Sequence, residues 1–213
     1  MGNRLKEKAY IFAGPDLNDV SFFKNIDFSD GYLIAADCGL KILEKLNITP
    51  DLIIGDFDSC KKPKNAKCEV LTFKVEKDDT DTMLCIKHVL ENGFNDITII
   101  SGVGGRLDHT IANIQSLCFI LNRGAKGRIL SDGTEIYLIA KGEHVFEKRE
   151  GFSMSLFSYS ESVLKLSIAG AKYNTNKIDI DNAFPIGVSN EITENECCIS
   201  FEGGMLLVVF SRL

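Results

Sequence analysis

Several familiar signals are missing from this chain of 213 residues. No apolar stretch approaches the roughly 18 to 20 residues that a membrane-spanning helix needs, so the sequence predicts no membrane partner. The formal net charge is -6 and basic residues are scattered, which excludes the basic stripe of a nucleic-acid surface. Pro-rich linkers, internal repeats and low-complexity tracts are also absent. The composition therefore predicts a globular protein that binds small molecules.

Cysteine is present, but in no pattern that predicts a disulfide framework or a zinc site. The seven cysteines are an odd number, none forms C-x-x-C, and Cys197 and Cys198 are adjacent. The apolar run after the first basic residues is too short for a signal-peptide core. These features predict reduced, mostly buried thiols in a cytoplasmic protein.

Two different sequence patterns predict two domains. In residues 1–132, short apolar runs alternate with helical stretches, which is typical of an α/β domain with a mainly parallel sheet. Its predicted strands are 9–13, 32–36, 52–54, 70–73, 97–101 and 128–130. In residues 133–213, runs rich in β-branched and aromatic residues predict an all-β domain, sandwich-like or barrel-like, with strands 135–140, 153–158, 162–169, 196–201 and 205–210.

Two helices of the first domain can be read from the sequence. One spans 80–92, with acidic residues in its first turn and Gly93 just past its end. The other is predicted from an apolar stripe and closes at Gly124. The residues of this stripe are Leu107, Ile111, Ile114, Cys118 and Leu121.

Two carboxylates follow the third predicted strand. Gly55 permits a sharp turn, and Asp56 and Asp58 project to the same side because side chains alternate along an extended backbone. Such close like charges repel each other unless a cation or a shared proton intervenes, and Mg²⁺ suits oxygen ligands. Gly, Asp and Ser also form ordinary polar turns. This D-x-D motif alone does not favour a metal site over a polar turn.

A second acidic cluster lies where the helix over 80–92 begins. Helix capping accounts for one or two acids there, but it accounts poorly for Asp78, Asp79 and Asp81 together with Lys77. We therefore predict that Asp81 joins Asp56 and Asp58 around a cation and that Lys77 meets a phosphate.

A glycine-rich turn precedes the helix with the apolar stripe. Its backbone N–H groups and Arg106 are predicted to bind an anion, although Leu107 breaks the dinucleotide-binding pattern and no P-loop pattern is present. His109 and Asn113 share one helix face and are candidates to line the same cleft, although a lone histidine is more often a surface or capping residue. Asp37 ends the second strand. Carboxylates and hydrogen-bond donors to phosphate, placed at successive strand ends, predict a site for a nucleotide bound with Mg²⁺.

The order of these motifs resembles the thiamine pyrophosphokinase family. In this sequence the motifs stand at 36–39, 50–59, 77–81, 102–113, 170–173 and 187–191. Two departures are visible: Cys38 replaces a common glycine, and Asn174-Thr175-Asn176 replaces the Pro-Leu expected after Tyr173.

The resemblance implies an N-terminal α/β domain that binds Mg²⁺ and ATP, and a C-terminal β domain that contributes the thiamine site. It also implies a homodimer with active sites between subunits. The implied reaction converts ATP and thiamine to AMP and thiamine pyrophosphate. The implied metal ligands are Asp37, Asp56, Asp58 and Asp81; the ATP-site residues are Asp37, Lys77, Asp78, Arg106, Asp108, His109 and Asn113; the thiamine-site residues are Tyr173, Ser189 and Asn190.

The catalytic candidates are Asp56, Asp58, Asp81 and Arg106. The hydroxyl of thiamine must attack the β-phosphorus in line, so catalysis is mostly positioning and charge neutralisation. Asp81 is the candidate to orient this hydroxyl or accept its proton, a role that the sequence leaves open.

Two other functions fit parts of the sequence. A phosphatase with an aspartyl nucleophile also has D-x-D after a strand. In that class the motif continues with Gly-Thr or a similar pair, whereas Ser59-Cys60 follow here. A non-catalytic sensor of thiamine or a nucleotide would have little need for so many ordered acids.

Overall fold

A computed structural model of the chain describes residues 7–14, 17, 19–57, 68–72 and 79–213. The predicted site residues Asp58, Lys77 and Asp78 lie outside these ranges. The chain divides into two compact units, Met1–Asp132 and Gly133–Leu213. Within the described ranges, we find no helix long and apolar enough to cross a membrane.

The first unit is an α/β domain built on parallel strands. Its elements are β1 (Lys8–Phe12), β2 (Gly31–Ala36), α1 (Leu40–Leu46), β3 (Leu52–Gly55), β4 (Glu69–Thr72), α2 (Asp81–Glu91), β5 (Asp96–Ile100), α3 (Leu107–Leu121) and β6 (Lys126–Ser131). The strands lie in the order β6-β5-β1-β2-β3-β4, and their five pairings are all parallel. The predicted fold class of this half is confirmed, and every strand predicted there has a counterpart.

The central strands of this sheet are apolar on both faces, as parallel strands covered by helices require. Phe12, Ile34, Ala35 and Ile53 are almost fully buried. Their close packing fixes the strands, and therefore fixes the carboxyl ends from which the turns of the site emerge.

The buried face of α3 differs from the predicted apolar stripe. Leu107 is 72% exposed and Ile111 is 49% exposed. Asn113 is buried instead, and its Nδ2 donates a hydrogen bond to Gly102 O at 2.8 Å. A polar side chain can be buried when its hydrogen bonds are made, and an apolar stripe gives no sign of that exchange. The residues that α3 buries are Asn113, Ser116, Leu117 and Ile120.

The second unit is an antiparallel β domain. Its strands are β7 (Thr134–Glu147), β8 (Phe152–Ser158), β9 (Ser162–Ala169), β10 (Thr175–Asp181), β11 (Gly187–Asn190) and β12 (Glu196–Arg212). All its pairings are antiparallel, which confirms the β-rich prediction. Strands β10 and β11 are additions to the sequence prediction, which contained no run over either segment.

The long strand β12 organises this unit. The sequence predicted two strands, 196–201 and 205–210, but they form one strand whose register against β7 shifts between Phe201 and Met205. The first part of β12 pairs with β9 and the second part pairs with β8. Because its partner changes along its length, β12 serves two layers of strands around one core, and the core includes Leu156, Leu166 and Val208.

Candidate active site

A cavity of about 370 Å³ opens at the carboxyl ends of the parallel strands in the first unit. Its walls come from the turns after β1, β2 and β5, the start of α2, and the glycine-rich turn before α3. Four residues predicted for the ATP site line it, together with the predicted metal ligand Asp81: Asp37, Arg106, His109 and Asn113. Strand ends that are far apart in the sequence thus bring these side chains together at one edge of the sheet, as expected for an open parallel sheet.

The turns that form this cavity adopt unusual backbone conformations. Asp37 has φ 44° and Ser101 has φ 60°, values that non-glycine residues rarely adopt. Gly14 has φ 99°, and a Cβ at this position would lie 2.2 Å from Ser101 O. Such conformations cost about 1–3 kcal/mol each and persist where the surrounding structure enforces them, often at functional sites.

The end of β3 packs against the end of β2. A Cβ on Gly55 would lie 3.1 Å from Asp37 Cα, so a larger residue would push the two turns apart. Asp56 is half-buried immediately after β3 and is not among the residues that line the cavity. The structure therefore brings Asp37 and Asp81 to one cavity and leaves Asp56 at the adjacent strand end.

The acidic cluster before α2 contains residues with separate tasks. Thr80 caps the helix, because its Oγ1 accepts a hydrogen bond from Met83 N at 3.1 Å. Asp79 pairs with Lys87 at 2.6 Å. Asp81 is the first residue of α2 and lines the cavity. The capping explanation therefore applies to Thr80, the residue at which the predicted helix begins.

The glycine-rich turn is held by side chains of the chain itself. Val103 N donates to Ser131 Oγ at 3.1 Å, and Gly104 N donates to Thr110 Oγ1 at 3.3 Å. These two N–H groups therefore have acceptors within the chain, and anion binding by the turn and Arg106 stays a prediction. Ser131 went unnoticed in the sequence; it ends β6, and polar residues at strand ends were the available signal.

Arg106 and Asp108 form an exposed ion pair beside the cavity. Arg106 Nη2 lies 2.5 Å from Asp108 Oδ2, and Arg106 Nε donates to Asp108 Oδ1 at 3.1 Å. Asp108 also accepts a hydrogen bond from His109 N at 3.0 Å. The hydrogen bond from Arg106 holds the pKa of the Asp108 carboxyl below its usual value. Asp108 thus contacts the arginine, while Arg106 itself lines the cavity.

The prediction that the cysteines are reduced is wrong for Cys38. This residue is disulfide-bonded and lines the cavity. The prediction used the odd cysteine count and the absence of C-x-x-C, and neither carries information about which strand ends meet in space. By contrast, Cys197 is a buried thiol, and burial raises its pKa to about 11.

The donor set at these strand ends suits a hard cation. Within the described residues, no group of three or more His, Cys, Asp or Glu side chains stands close enough to hold a metal ion. Asp37 and Asp81 nevertheless line one cavity, and they offer oxygen atoms of the kind that Mg²⁺ prefers.

A second cavity, of about 500 Å³, lies in the β unit. Tyr173, Ser189 and Asn190, the three residues predicted for the thiamine site, all line it. The remaining wall is largely apolar and escaped the sequence argument, although alternation along β9 and β10 was a usable signal. These apolar residues are Leu156, Leu166, Ile168, Ile178, Ile180, Ile186 and Val188.

Comparison with known proteins identifies the family. The model of the thiamin pyrophosphokinase catalytic domain matches residues 23–128, and that of the thiamin pyrophosphokinase vitamin B1 binding domain matches residues 143–206. Thiamine pyrophosphokinase of Bacillus subtilis is 30% identical over 184 residues, which cover 84% of this chain and 86% of that protein. The chain belongs to the thiamine pyrophosphokinase family. The sequence-based identification of a thiamine diphosphokinase enzyme is confirmed.

Solved structures in the thiamine pyrophosphokinase family agree with this fold. The crystal structure of the Bacillus subtilis enzyme matches with a TM-score of 0.86 at 27% identity, covering 97% of this chain and 99% of that one. Yeast thiamin pyrophosphokinase matches with a TM-score of 0.75 at 17% identity, covering 97% and 86% of the two chains, a likeness of fold alone.

Proposed function

We propose that this enzyme transfers the pyrophosphoryl group of ATP to the hydroxyl of thiamine, giving thiamine pyrophosphate and AMP. The observation that carries the proposal is the cavity of the first unit, where Asp37, Asp81 and Arg106 meet in a chain of the thiamine pyrophosphokinase family. Carboxylates and a guanidinium in one cavity suit a nucleotide triphosphate that binds with a divalent cation.

The transfer needs little covalent chemistry from the protein. The thiamine oxygen attacks the β-phosphorus, the bond from that phosphorus to the oxygen bridging the α-phosphate breaks, and AMP leaves with the bridging oxygen. Arg106 binds phosphate oxygens and offsets the negative charge that develops on them. Asp81 orients the attacking hydroxyl or accepts its proton, since it lines the same cavity.

Mg²⁺ is held in this proposal by Asp37, Asp56 and Asp81, together with Asp58. When bound, it neutralises charge on the phosphate oxygens of ATP. His109 and Asn113 bound the nucleotide side of the cavity, Asp108 orients Arg106, and Lys77 and Asp78 stay predicted ATP ligands. Asp56 and Asp58 flank Phe57, whose φ of 60° makes the turn after β3 another constrained strand end.

Thiamine binds in the cavity of the second unit. Its largely apolar wall suits the aromatic rings of the vitamin, and Tyr173 and Ser189 supply the polar edge, with Asn190 beside them. These three residues fall within the match to the vitamin B1 binding domain, residues 143–206.

The enzyme acts as a homodimer with its active sites between subunits. Large apolar side chains are exposed in both units: Leu107 and Ile111 in the first, and Phe184, Ile186 and Val188 in the second. Clusters of this kind mark surfaces that a partner covers. Its cytoplasmic location stays a prediction from the sequence.

The proposal is tested with ATP labelled at different phosphates. The protein is incubated with Mg²⁺, thiamine and either α-labelled or γ-labelled ATP, and the products are separated. We expect α-label in AMP and γ-label in thiamine pyrophosphate, in equal amounts. Formation of ADP with thiamine monophosphate, or no turnover, contradicts the proposal.

A variant that lacks one predicted metal carboxylate serves as the inactive control for the labelling experiment. Asp56→Asn should abolish turnover with little loss of folding, because the substitution keeps shape and removes charge. The phosphatase alternative makes a different prediction, an acid-stable phosphoenzyme that hydroxylamine cleaves. Trapping that phosphoenzyme would contradict direct transfer to thiamine and support the phosphatase mechanism.

A further inference from the structure

A buried asparagine holds the backbone of an exposed tyrosine at the cavity of the second unit. Asn190 is 5% exposed, whereas Tyr173 is 60% exposed. Tyr173 N donates to Asn190 Oδ1 at 2.9 Å, and Asn190 Nδ2 donates to Tyr173 O at 2.9 Å. One amide therefore satisfies both backbone polar groups of one residue, as a neighbouring strand would.

The Asn190 side chain has little hydrogen-bonding capacity left for a ligand. Its Oδ1 also accepts from Glu191 N at 2.9 Å, so both lone pairs of that oxygen are used. One of the two N–H donors is used by Tyr173 O. Only one N–H of the amide is left for a hydrogen bond to a ligand. This suits a residue that orders the backbone better than a residue that recognises a substrate.

Other contacts fix the turn that carries Tyr173. Asn174 Oδ1 accepts from Ala171 N at 3.0 Å, which closes a local turn through a side chain. Lys172 N donates to Glu191 O at 2.9 Å on the other side. Asn174 occupies the position where the family motif led us to expect a proline, so a hydrogen bond here supplies the stiffness that a proline ring would give.

We propose that Asn190 is a positioning residue, which fixes the backbone of Tyr173 so that the tyrosine ring stands ready to contact an aromatic ring of the substrate. The identity of that substrate, thiamine, rests on the proposed function. The pair of hydrogen bonds between the Asn190 amide and the Tyr173 backbone, called the clamp below, does not. Because the turn is ordered before binding, the substrate does not have to order it. Loss of these two hydrogen bonds therefore weakens thiamine binding and leaves the rate of pyrophosphoryl transfer unchanged.

The clamp is tested first without substrate, by hydrogen–deuterium exchange of the segment 171–176. We expect Asn190→Ala to raise the exchange rate at Tyr173 by roughly tenfold or more, because its N–H loses its acceptor. Asn190→Asp keeps both acceptor contacts and loses the donor to Tyr173 O, so its rate should be intermediate. Asn176→Ala, an exposed asparagine nearby, is the matched control and should leave the rate unchanged.

An unchanged exchange rate in Asn190→Ala overturns the proposal whatever the substrate is. If Asn190→Ala does not fold, as judged by thermal unfolding, Asn190→Asp gives the same comparison with a smaller effect. A rate in Asn190→Asp equal to that of the original protein would then overturn the clamp.

The consequence for binding is tested by steady-state kinetics on Asn190→Ala, Tyr173→Ala and the double variant. Each single variant should raise the KM for thiamine roughly tenfold, with kcat and the KM for ATP within about twofold of the original. The double variant should be no worse than Tyr173→Ala, because both changes remove one contact.

Effects that multiply in the double variant would mean that Asn190 contacts thiamine independently, and would overturn the positioning role. So would an unchanged KM for thiamine in Asn190→Ala. If the original protein does not turn over thiamine at all, the proposed function fails, while the exchange experiment still decides the clamp.

Discussion

Acidic residues of the first unit carry the same charge but perform different tasks. Asp51 Oδ2 accepts a hydrogen bond from Leu33 N at 2.8 Å and joins two strands. Asp79 pairs with Lys87, whereas Asp37 and Asp81 line the cavity. Their positions in the sequence singled out Asp37, Asp79 and Asp81. The sequence could not separate their tasks, because each task depends on a partner that lies elsewhere in the chain or in space.

Asp81 and Asp79 provide a matched pair for testing this separation. Asp81→Asn should lower kcat by about 10²–10³-fold, because a charge that supports the transfer is lost. Its stability should change little, since Thr80 caps the helix. Asp79→Asn should keep its activity and lose at most about 1 kcal/mol of stability, because its ion pair with Lys87 is partly exposed. Near-normal turnover in Asp81→Asn would refute its catalytic role.

The disulfide at Cys38 can be tested by alkylation. We expect iodoacetamide to modify Cys38 only after dithiothreitol has reduced the bond, as measured by peptide mass spectrometry. Because Cys38 lines the cavity, ATP with Mg²⁺ should slow its alkylation after reduction. Cys198, which carries a thiol, is the internal reference. Full modification of Cys38 without reductant would exclude the disulfide.

The turns after the strands determine the geometry of the site at the level of elements. Gly39 lies in the turn between β2 and α1, at the N-cap of α1, and a Cβ at this position would lie 1.9 Å from Phe12 O. The sequence located this turn from its motif. The neighbour that requires glycine belongs to β1, so only the packed sheet explains the requirement.

Gly39→Ala is expected to destabilise the first unit by about 3 kcal/mol, because the added methyl overlaps a backbone carbonyl that cannot move freely. Gly93 is the contrasting control: it has φ +84° with no atom within 4 Å of an added Cβ. Gly93→Ala should therefore cost about 1 kcal/mol, from backbone strain alone. Chemical denaturation measures both. Equal losses for the two variants would contradict the steric argument.

Periodicity predicted most elements correctly and the faces of α3 incorrectly. Leu107 and Ile111 belong to the apolar stripe but are exposed, while Asn113 is buried. A periodic pattern weighs only polarity. It contains no information about Gly102 O, which makes the burial of Asn113 favourable.

The exposed apolar residues lead to a prediction about the whole molecule. We expect sedimentation to give twice the mass of one chain. Replacing Phe184 by serine should favour the monomer and lower activity, because the surface loses a large apolar contact. Leu213→Ser, at an exposed terminal residue, is the control and should stay dimeric. A monomer in the original protein would contradict the dimer.

The sequence by itself determined the strands of the first unit, the change from α/β to β architecture near residue 132, and the family. These follow from local periodicity and from ordered motifs, which need no long-range information. Only the tertiary structure decided that Thr80 caps α2, that Cys38 forms a disulfide, that Ser131 holds the glycine-rich turn, and that Asn190 holds Tyr173. The physical reason is that a hydrogen bond, a disulfide or a close contact depends on partners, and folding alone brings those partners together.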